Sequence, residues 1–487
     1  MIQILERHPA ALPFGMAKLA PSTDGTYGNK WGWEAVGYDG RHTSIEGFAN
    51  LHEFQIGGLL FSPTTGKLQV TPGSLENPDE GFRSRFDRKD EFATAGYYSV
   101  LLKDYNVKAE LTATERVGFH KYTFPQSEQS NIIFSIGRQL GESGLAVDSK
   151  VTFVDDNRLE GFVTTKPEYV KKYQADAVVT MYFSAILDKT PDAFGTFVNE
   201  EIQTGSKSAQ GIGAGAYVTY NTQEGDAVNI KVGLSYTSID NARLNLDTEA
   251  KEMTFEEAKK ASLATWNDYL GRITVEGGTE EDKVKFYTGL FHAILGRGLA
   301  SDVNGAYPKN DGSNGQIELD ANGNPIHNHY NTDAIWGGYW NLTQLWAIAY
   351  PEYFTDWIQS QLLVYKDAGW LGDGIATSKY VSGVGTNFTG LAIASAYNIG
   401  LRDFNIDLAY EAARKNELGW EGRIPGAGKM DVKAFVERGY APYMVSKPGT
   451  EELTTEGSSF GTSHTLEYSF SSYAVAQFAK ALGKTDD

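Results

Sequence analysis

The chain has 487 residues, with 43 Lys and Arg against 62 Asp and Glu, giving a formal charge of −19. That acidity argues against nucleic acid or an anionic membrane surface as a partner, and the absence of cysteine excludes disulfides, thiolate metal sites and cysteine nucleophiles. A hydrophobic fraction of 41% is too high for a disordered chain, and the length suffices for roughly two to four domains with a large core.

Met1–His8 contains no apolar run and no small-residue cleavage site, so it does not read as a signal peptide. No stretch approaches the ~18 apolar residues of a membrane span. The first half then reads as β. Val107–Ala113 alternates apolar and polar residues with period two, and Phe119–Phe124 follows it after a glycine. Ala177–Phe183 and Ala216–Tyr220 are β-branched and aromatic runs, and Ala227–Tyr236 alternates again. Asp24-Gly25, Asp39-Gly40 and Glu224-Gly-Asp226 punctuate them as turns. The pattern predicts a large antiparallel sandwich.

The character changes near residue 250. Thr254-Phe-Glu-Glu257 has the form of a capping box, opening an amphipathic helix to about Leu270. Thr279-Glu-Glu-Asp282 marks another helix start, with apolar residues at Val284, Phe286, Tyr287, Leu290, Phe291 and Ile294. Further helices are expected over 339–366, broken at Pro351, and over 386–399, 406–416 and 464–482. The Gly-rich connections Val303–Pro325 and Gly419–Gly428 are long enough to build a site. The expected architecture is thus β first and α second: a sandwich over 1–250, a helical linker over 251–278 and a second domain over 279–487.

The Gly-x-x-x-x-Gly-Lys-Ser/Thr and His-Glu-x-x-His motifs are absent, and no dinucleotide fingerprint follows a predicted strand. His327 and His329 share the spacing of one strand face but lack a third ligand, the usual signature of plain loop residues. What remains is carboxylates among aromatics, a set suited to acid–base work on sugars. Glu467, in His464-Thr-Leu-Glu-Tyr-Ser-Phe470, admits two readings. Desolvation amid Leu466, Tyr468 and Phe470 would keep it protonated; an exposed Glu near a helix N-terminus, favoured by the macrodipole, is the commoner fate. Trp31 and Trp33 could stack on a sugar ring or simply pack.

Longer blocks are more specific. Glu110-Leu-Thr-Ala-Thr-Glu-Arg-Val-Gly-Phe-His-Lys-Tyr-Thr-Phe-Pro125, Gly81-Phe-Arg-Ser-Arg-Phe86 and Ala95-Gly-Tyr-Tyr-Ser-Val-Leu-Leu102 resemble segments of glycoside hydrolase family 92, the α-mannosidases. The resemblance continues through Ala11–Met16, Thr43–Phe48, Ser235–Leu246, Ala300–Gly305, Gly439–Pro442 and Thr465–Tyr468, nearly the whole chain. It implies an N-terminal β-sandwich, a helical linker and an (α/α)6 toroid, with calcium-dependent, exo-acting, inverting hydrolysis of α-mannosides in glycans. Glu467 matches the family's general acid, which decides between its two readings. Trp31 or Trp33 matches the tryptophan lining the sugar subsite, and His52 falls in the sugar-proximal loop. The resemblance also implies a periplasmic or extracellular location.

Two departures qualify this. Where the family shows Trp-Asp-Thr-Tyr-Arg, this chain has Trp336-Gly-Gly-Tyr-Trp340, so Gly337 replaces a sugar-contacting aspartate and Trp340 an arginine. Asp333 could reach the same space, Trp336 and Trp340 are candidate sugar contacts, Trp340 and Trp370 could offer a broader aromatic platform, and the family's Asn-Glu-Thr stretch becomes Ala376-Thr-Ser-Lys379. A different terminal sugar is therefore one alternative. The chain also ends at Asp487, whereas the resemblance places the catalytic base and most calcium ligands further on. A partial toroid, acting as a non-catalytic carbohydrate-binding or inactive fragment, is the other alternative.

Overall fold

The period-two stretch Val107–Ala113 is a strand between Val117–Thr123 and Tyr97–Leu102. In this computed structural model, which describes residues 10–25, 37–53, 55–168, 170–296, 298–332, 334–381, 385–444 and 455–484, it lies inside a nine-stranded antiparallel sheet. The sheet order is Ser208–Gln210, Leu145–Phe153, Arg158–Lys166, Val179–Leu187, Ala227–Ser235, Val117–Thr123, Val107–Ala113, Tyr97–Leu102 and Glu91–Thr94. A second antiparallel sheet of eight strands runs Ala10–Ala11, Lys18–Ser22, Gly47–Glu53, Ile56–Thr65, Ser127–Ser135, Ala214–Thr222, Ala193–Val198 and Glu201–Thr204. The two sheets form the expected antiparallel sandwich, with Phe48, Phe61, Phe119, Phe134 and Tyr122 fully buried. Phe61 stands edge-on to Phe134 at 4.7 Å.

His120, from the long block that carried the resemblance, is a core residue. Its Nε2 lies 2.8 Å from Asn50 Oδ1 and its Nδ1 2.9 Å from the Tyr122 hydroxyl. Burial pulls this histidine down to about 3, so it stays neutral.

The helices are α1 (Val170–Tyr173), α2 (Ile239–Ala250), α3 (Phe255–Gly271), α4 (Glu280–Leu295), α5 (Ile335–Gly338), α6 (Leu342–Ala349), α7 (Pro351–Ala368), α8 (Phe388–Asn398), α9 (Ile406–Leu418), α10 (Val432–Arg438) and α11 (Gly461–Ala481). The Thr254 box forms as read: its hydroxyl accepts from Glu257 N, and Glu257 Oε2 accepts from Thr254 N at 2.8 Å. Thr279 and Asp282 do the same for α4. Pro351 separates α6 from α7 and sits in the first turn of α7, where its missing N–H costs nothing.

Two compact units emerge. One comprises Met1–Glu168 with Val178–Val303; the other comprises Tyr169–Ala177 with Asn304–Asp487. In the first, α2, α3 and α4 pack beside the sandwich. Trp266 of α3 is fully buried, donates from Nε1 to Ala11 O at 2.7 Å and lies 4.5 Å from the Phe291 ring of α4. Lys18 caps the C-terminus of α4 by donating to Leu295 O and Gly296 O. Gly96 turns at φ +78° under α3, where a Cβ would stand 2.0 Å from Ser262 Oγ, so only glycine fits.

The second unit is helical, with α8, α9 and α11 in mutual contact and α6 against α7. The segment 169–177 is stitched into it: Gln174 donates to Asn310 Oδ1 at 3.0 Å and accepts from Tyr380 N at 3.1 Å. The long connection after Val303 carries a small hairpin, Ala306–Pro308 with Asn314–Gln316.

Asp302, from the Ala300–Gly305 motif, is 1% exposed and accepts from Ser235 Oγ at 3.0 Å, Thr237 Oγ1 at 2.5 Å and Asn245 Nδ2 at 2.7 Å. Asp302→Ala would strand three buried donors. A loss of about 3 kcal/mol is expected in urea unfolding followed by circular dichroism; a loss below about 1 kcal/mol would contradict this account of the pin.

Candidate active site

The helix α11 starts without a side-chain N-cap, but Ser458 Oγ accepts from Phe460 N at 3.1 Å and fixes the entry. Its buried residues His464, Tyr468, Ser471, Val475, Phe478 and Ala479 recur at helical spacing and define one face. The opposite face is unusually apolar, with Leu466 70% and Tyr473 63% exposed. Glu467 lies on the border between the two faces. One of its carboxylate oxygens, Oε2, is buried and has no hydrogen-bond partner among the described residues. Burial raises the pKa of its carboxyl above the ordinary glutamate value, and His464 pulls in the other direction.

Behind Glu467 lies a polar layer. Asp431 and His464 have no exposed side-chain surface, and Asp431 Oδ2 sits 2.7 Å from His464 Nδ1. Ser458 Oγ donates to the same Oδ2 at 2.8 Å. The Tyr468 hydroxyl accepts from Met430 N and Asp431 N and donates to Gly385 O at 2.9 Å. The His464 and Tyr468 rings stack at 4.9 Å and 16°. One turn further on, Ser472 Oγ donates to Glu417 Oε2 at 2.7 Å, and Lys429 forms a buried ion pair with that oxygen. Asn387 Nδ2 donates to the other Glu417 oxygen at 2.5 Å.

An aromatic cluster adjoins on the other side. Phe470, three residues after Glu467, stacks on Trp340 at 5.8 Å and 7°, and Phe388 stands edge-on to both. Tyr339 closes the group, 5.6 Å from Phe388. Trp340 remains 57% exposed and Trp336 43% exposed, each with apolar ring surface open to solvent. A half-buried acid next to exposed aromatic rings can protonate the leaving oxygen of a bound sugar and hold the ring by stacking.

Residues 8–235 match the N-terminal domain of glycosyl hydrolase family 92, and residues 241–487 match its catalytic domain. The chain belongs to glycoside hydrolase family 92. A family 92 α-mannosidase from Bacteroides thetaiotaomicron, solved in complex with mannoimidazole, is similar at 26% identity and a TM-score of 0.86, over 98% of this chain and 60% of that one. An inverting family 92 mannosidase from the same organism shares the fold at 20% identity and a TM-score of 0.82, over 98% of this chain and 60% of its own. A protein of Arthroderma benhamiae described as a secreted glycosidase is 24% identical over 513 residues, covering 98% of this chain and 58% of the relative. The chain therefore spans about 60% of the length of these relatives.

Of the residues singled out from the sequence, Glu467, Trp336 and Trp340 fall in the second unit, and Phe470 links Trp340 to the Glu467 helix. Trp31, Trp33 and Asp333 lie outside the described residues. His52 is in strand Gly47–Glu53, paired with Gly57, and its side chain lies outside the described set. Trp370 is not part of a platform. It is 3% exposed, donates to Gly422 O at 3.1 Å and packs with Val364, Ile375, Tyr380 and Ala427, because the turn after α7 folds it inward. A Cβ added to Gly337 would meet nothing within 4 Å, so this position is open.

The altered stretch Ala376–Lys379 is the tip of a two-residue hairpin, Ile375–Ala376 with Lys379–Tyr380. Thr377 and Ser378 both take positive φ, +48° and +61°, a conformation that usually calls for Asn or Gly. Neighbours enforce it: Thr377 N donates to Asn331 Oδ1 at 2.7 Å, Asn310 Nδ2 donates to Ser378 O at 2.7 Å, and His329 Nε2 meets Ser378 Oγ at 2.9 Å. His329 is thus a buried packing residue, pulled down to about 3 by its burial. No group of three or more His, Asp or Glu that could hold a metal occurs among the described residues.

The sequence reasoning missed the polar layer. Asp431, Lys429 and Glu417 carry no motif, and only a buried charge needing a partner would have linked them. Lys429→Ala leaves Glu417 as a buried, unbalanced carboxylate. A loss of about 3–5 kcal/mol is expected in urea unfolding of the intact chain, largely recovered by adding Glu417→Gln. A Lys429→Ala protein of unchanged stability would contradict the pairing.

Proposed function

We propose that this family 92 chain serves exo-acting, inverting hydrolysis of α-linked mannosides in glycans, with Glu467 as the general acid. The observation that carries it is the Glu467 carboxyl itself: half-buried, raised in pKa by desolvation, with one oxygen left without a partner among the described residues, in a Thr465-Leu-Glu-Tyr468 match to the family's acid. A neutral carboxyl donates its proton to the glycosidic oxygen as the bond breaks. A base on the opposite face of the ring activates the water, with the two carboxyl groups roughly 6.5–9.5 Å apart in an inverting site. No described residue is assigned that base. Trp340, backed by Phe470, supplies an apolar face for a pyranose ring, and Trp336 flanks it in sequence. Trp31 or Trp33 and His52 remain in the proposal as further sugar contacts on the strength of the resemblance, and Asp333 on its place in sequence one helical turn before Gly337.

Calcium is kept as an expectation from the family. The described residues do not assemble a donor set for it, so no step is routed through the ion. A periplasmic or extracellular location is proposed on the description of the fungal relative as secreted, and no described helix is long and apolar enough to cross a membrane.

A second reading keeps the chemistry and changes the terminal sugar. It is favoured by the open space at Gly337 and by Trp340 standing where the family has arginine. Rates on a panel of aryl α-glycosides decide it: the reading holds if another α-glycoside is cleaved faster than the α-mannoside.

Glu467→Gln is expected to lower kcat/KM on an unactivated α-mannobiose by about 10²–10⁴-fold, and far less on an aryl α-mannoside whose leaving group needs no proton. Because desolvation raises the Glu467 pKa, the alkaline limb of kcat/KM should lie above the ordinary glutamate range and vanish in the variant. Equal losses on both substrates would remove Glu467 from the acid role. Binding of the α-mannoside without turnover would favour a carbohydrate-binding role over a catalytic one. Trp340→Ala should raise KM by about 3–10-fold, the worth of one aromatic stack, with kcat little changed.

A further inference from the structure

We infer that the buried Asp431–His464 pair is a positioning device for Glu467, fixing the turn of α11 that presents the acid and setting an imidazole of fixed orientation one turn before it. This rests on the reading of Glu467 as the acid. His464 and Glu467 are three residues apart, so their side chains rise from adjacent turns of the same side of the helix. His464 has no exposed side-chain surface and cannot rotate into water. Its Nδ1 is claimed by Asp431 Oδ2 at 2.7 Å, its ring lies flat on Tyr468, and Tyr468 is itself tied to the backbone of Met430 and Asp431. Three side chains, Asp431, His464 and Tyr468, thus clamp residues 430–431 to the first two turns of α11. A carboxylate holding one imidazole nitrogen fixes both the orientation of the ring and which nitrogen carries the proton.

The consequence is electrostatic as well as steric. Burial favours the neutral carboxyl at Glu467, and the positive charge that His464 carries when protonated opposes it. Asp431 pairs with His464, Lys429 pairs with Glu417, Tyr468 is hydrogen-bonded, and Arg423 acts on Tyr468. Of these, His464 is the group whose charge bears on Glu467.

The test follows the Glu467 carboxyl directly in the full chain by 13C NMR with labelled glutamate, its resonance assigned as the one missing from Glu467→Gln. In His464→Asn, which keeps an N–H for Asp431 but no charge, the Glu467 titration midpoint should rise by about 0.5–1 pH unit. An unchanged midpoint in a folded His464→Asn protein overturns the inference. Should that variant fail to fold, the reciprocal measurement decides. In the unaltered chain the His464 ring resonances, among only eight histidines, should move as Glu467 takes up its proton, and this movement should disappear in Glu467→Gln. Ring resonances indifferent to Glu467 overturn the inference. Neither readout requires turnover, so an inactive chain with intact coupling would sink the hydrolase reading alone, and an active chain without coupling would sink the positioning role alone.

Discussion

Side chains that carry charge or hydroxyls recur along α11 at His464, Tyr468 and Ser472; the first two are fully buried, and the third is half-buried against the buried Glu417 carboxylate. A buried polar group without a partner costs on the order of 1–3 kcal/mol, and a buried charge more. The helix can therefore pack only where Asp431, the backbone of 430–431, Gly385 and Glu417 wait for it. That requirement fixes the rotation of α11 about its own axis. Once His464 and Tyr468 face inward, Leu466 and Tyr473 must face out, and Glu467 falls on the border. The half-buried state of the acid is thus a by-product of satisfying its neighbours.

The sandwich unit solves the same problem in the same way. Asp302 collects hydroxyl and amide donors from Ser235, Thr237 and Asn245, and His120 is held between Asn50 and Tyr122. Lys18 meets both the carbonyl end of α4 and the Glu53 carboxylate, 3.8 Å away. Such networks resist substitution because removing any one member leaves the others unsatisfied. This is a physical reason for the long blocks of residues that make the family legible: His120 and Asp302, for example, are buried inside these networks.

Local features of the sequence carried directly into structure. The Thr254 and Thr279 boxes, the break at Pro351 and the alternation of Val107–Ala113 depend on residues within a few positions of each other. The helix α2 was missed because Ile239–Ala250 is rich in Asp, Asn and Arg. It is held by Ser238 capping and by packing on the sheet, neither of which shows as a strong apolar period. Tryptophan illustrates the same limit at the site. Trp340 and Trp370 are indistinguishable by type, yet one is 57% and the other 3% exposed, because burial is decided by tertiary packing. Glu467 became legible only through the residues around it. The Asp431–His464 contact spans 33 positions and joins two residues that carry no motif in common.

With Glu467 as the acid in the proposed mechanism, hydrolysis inverts the anomeric centre, and inversion leaves a stereochemical record. The most direct measurement is 1H NMR of the sugar first released from an aryl α-mannoside by the intact chain, recorded before mutarotation. The β-anomer should appear first and convert slowly to the equilibrium mixture. Initial release of the α-anomer would contradict the account, and so would the absence of any released sugar.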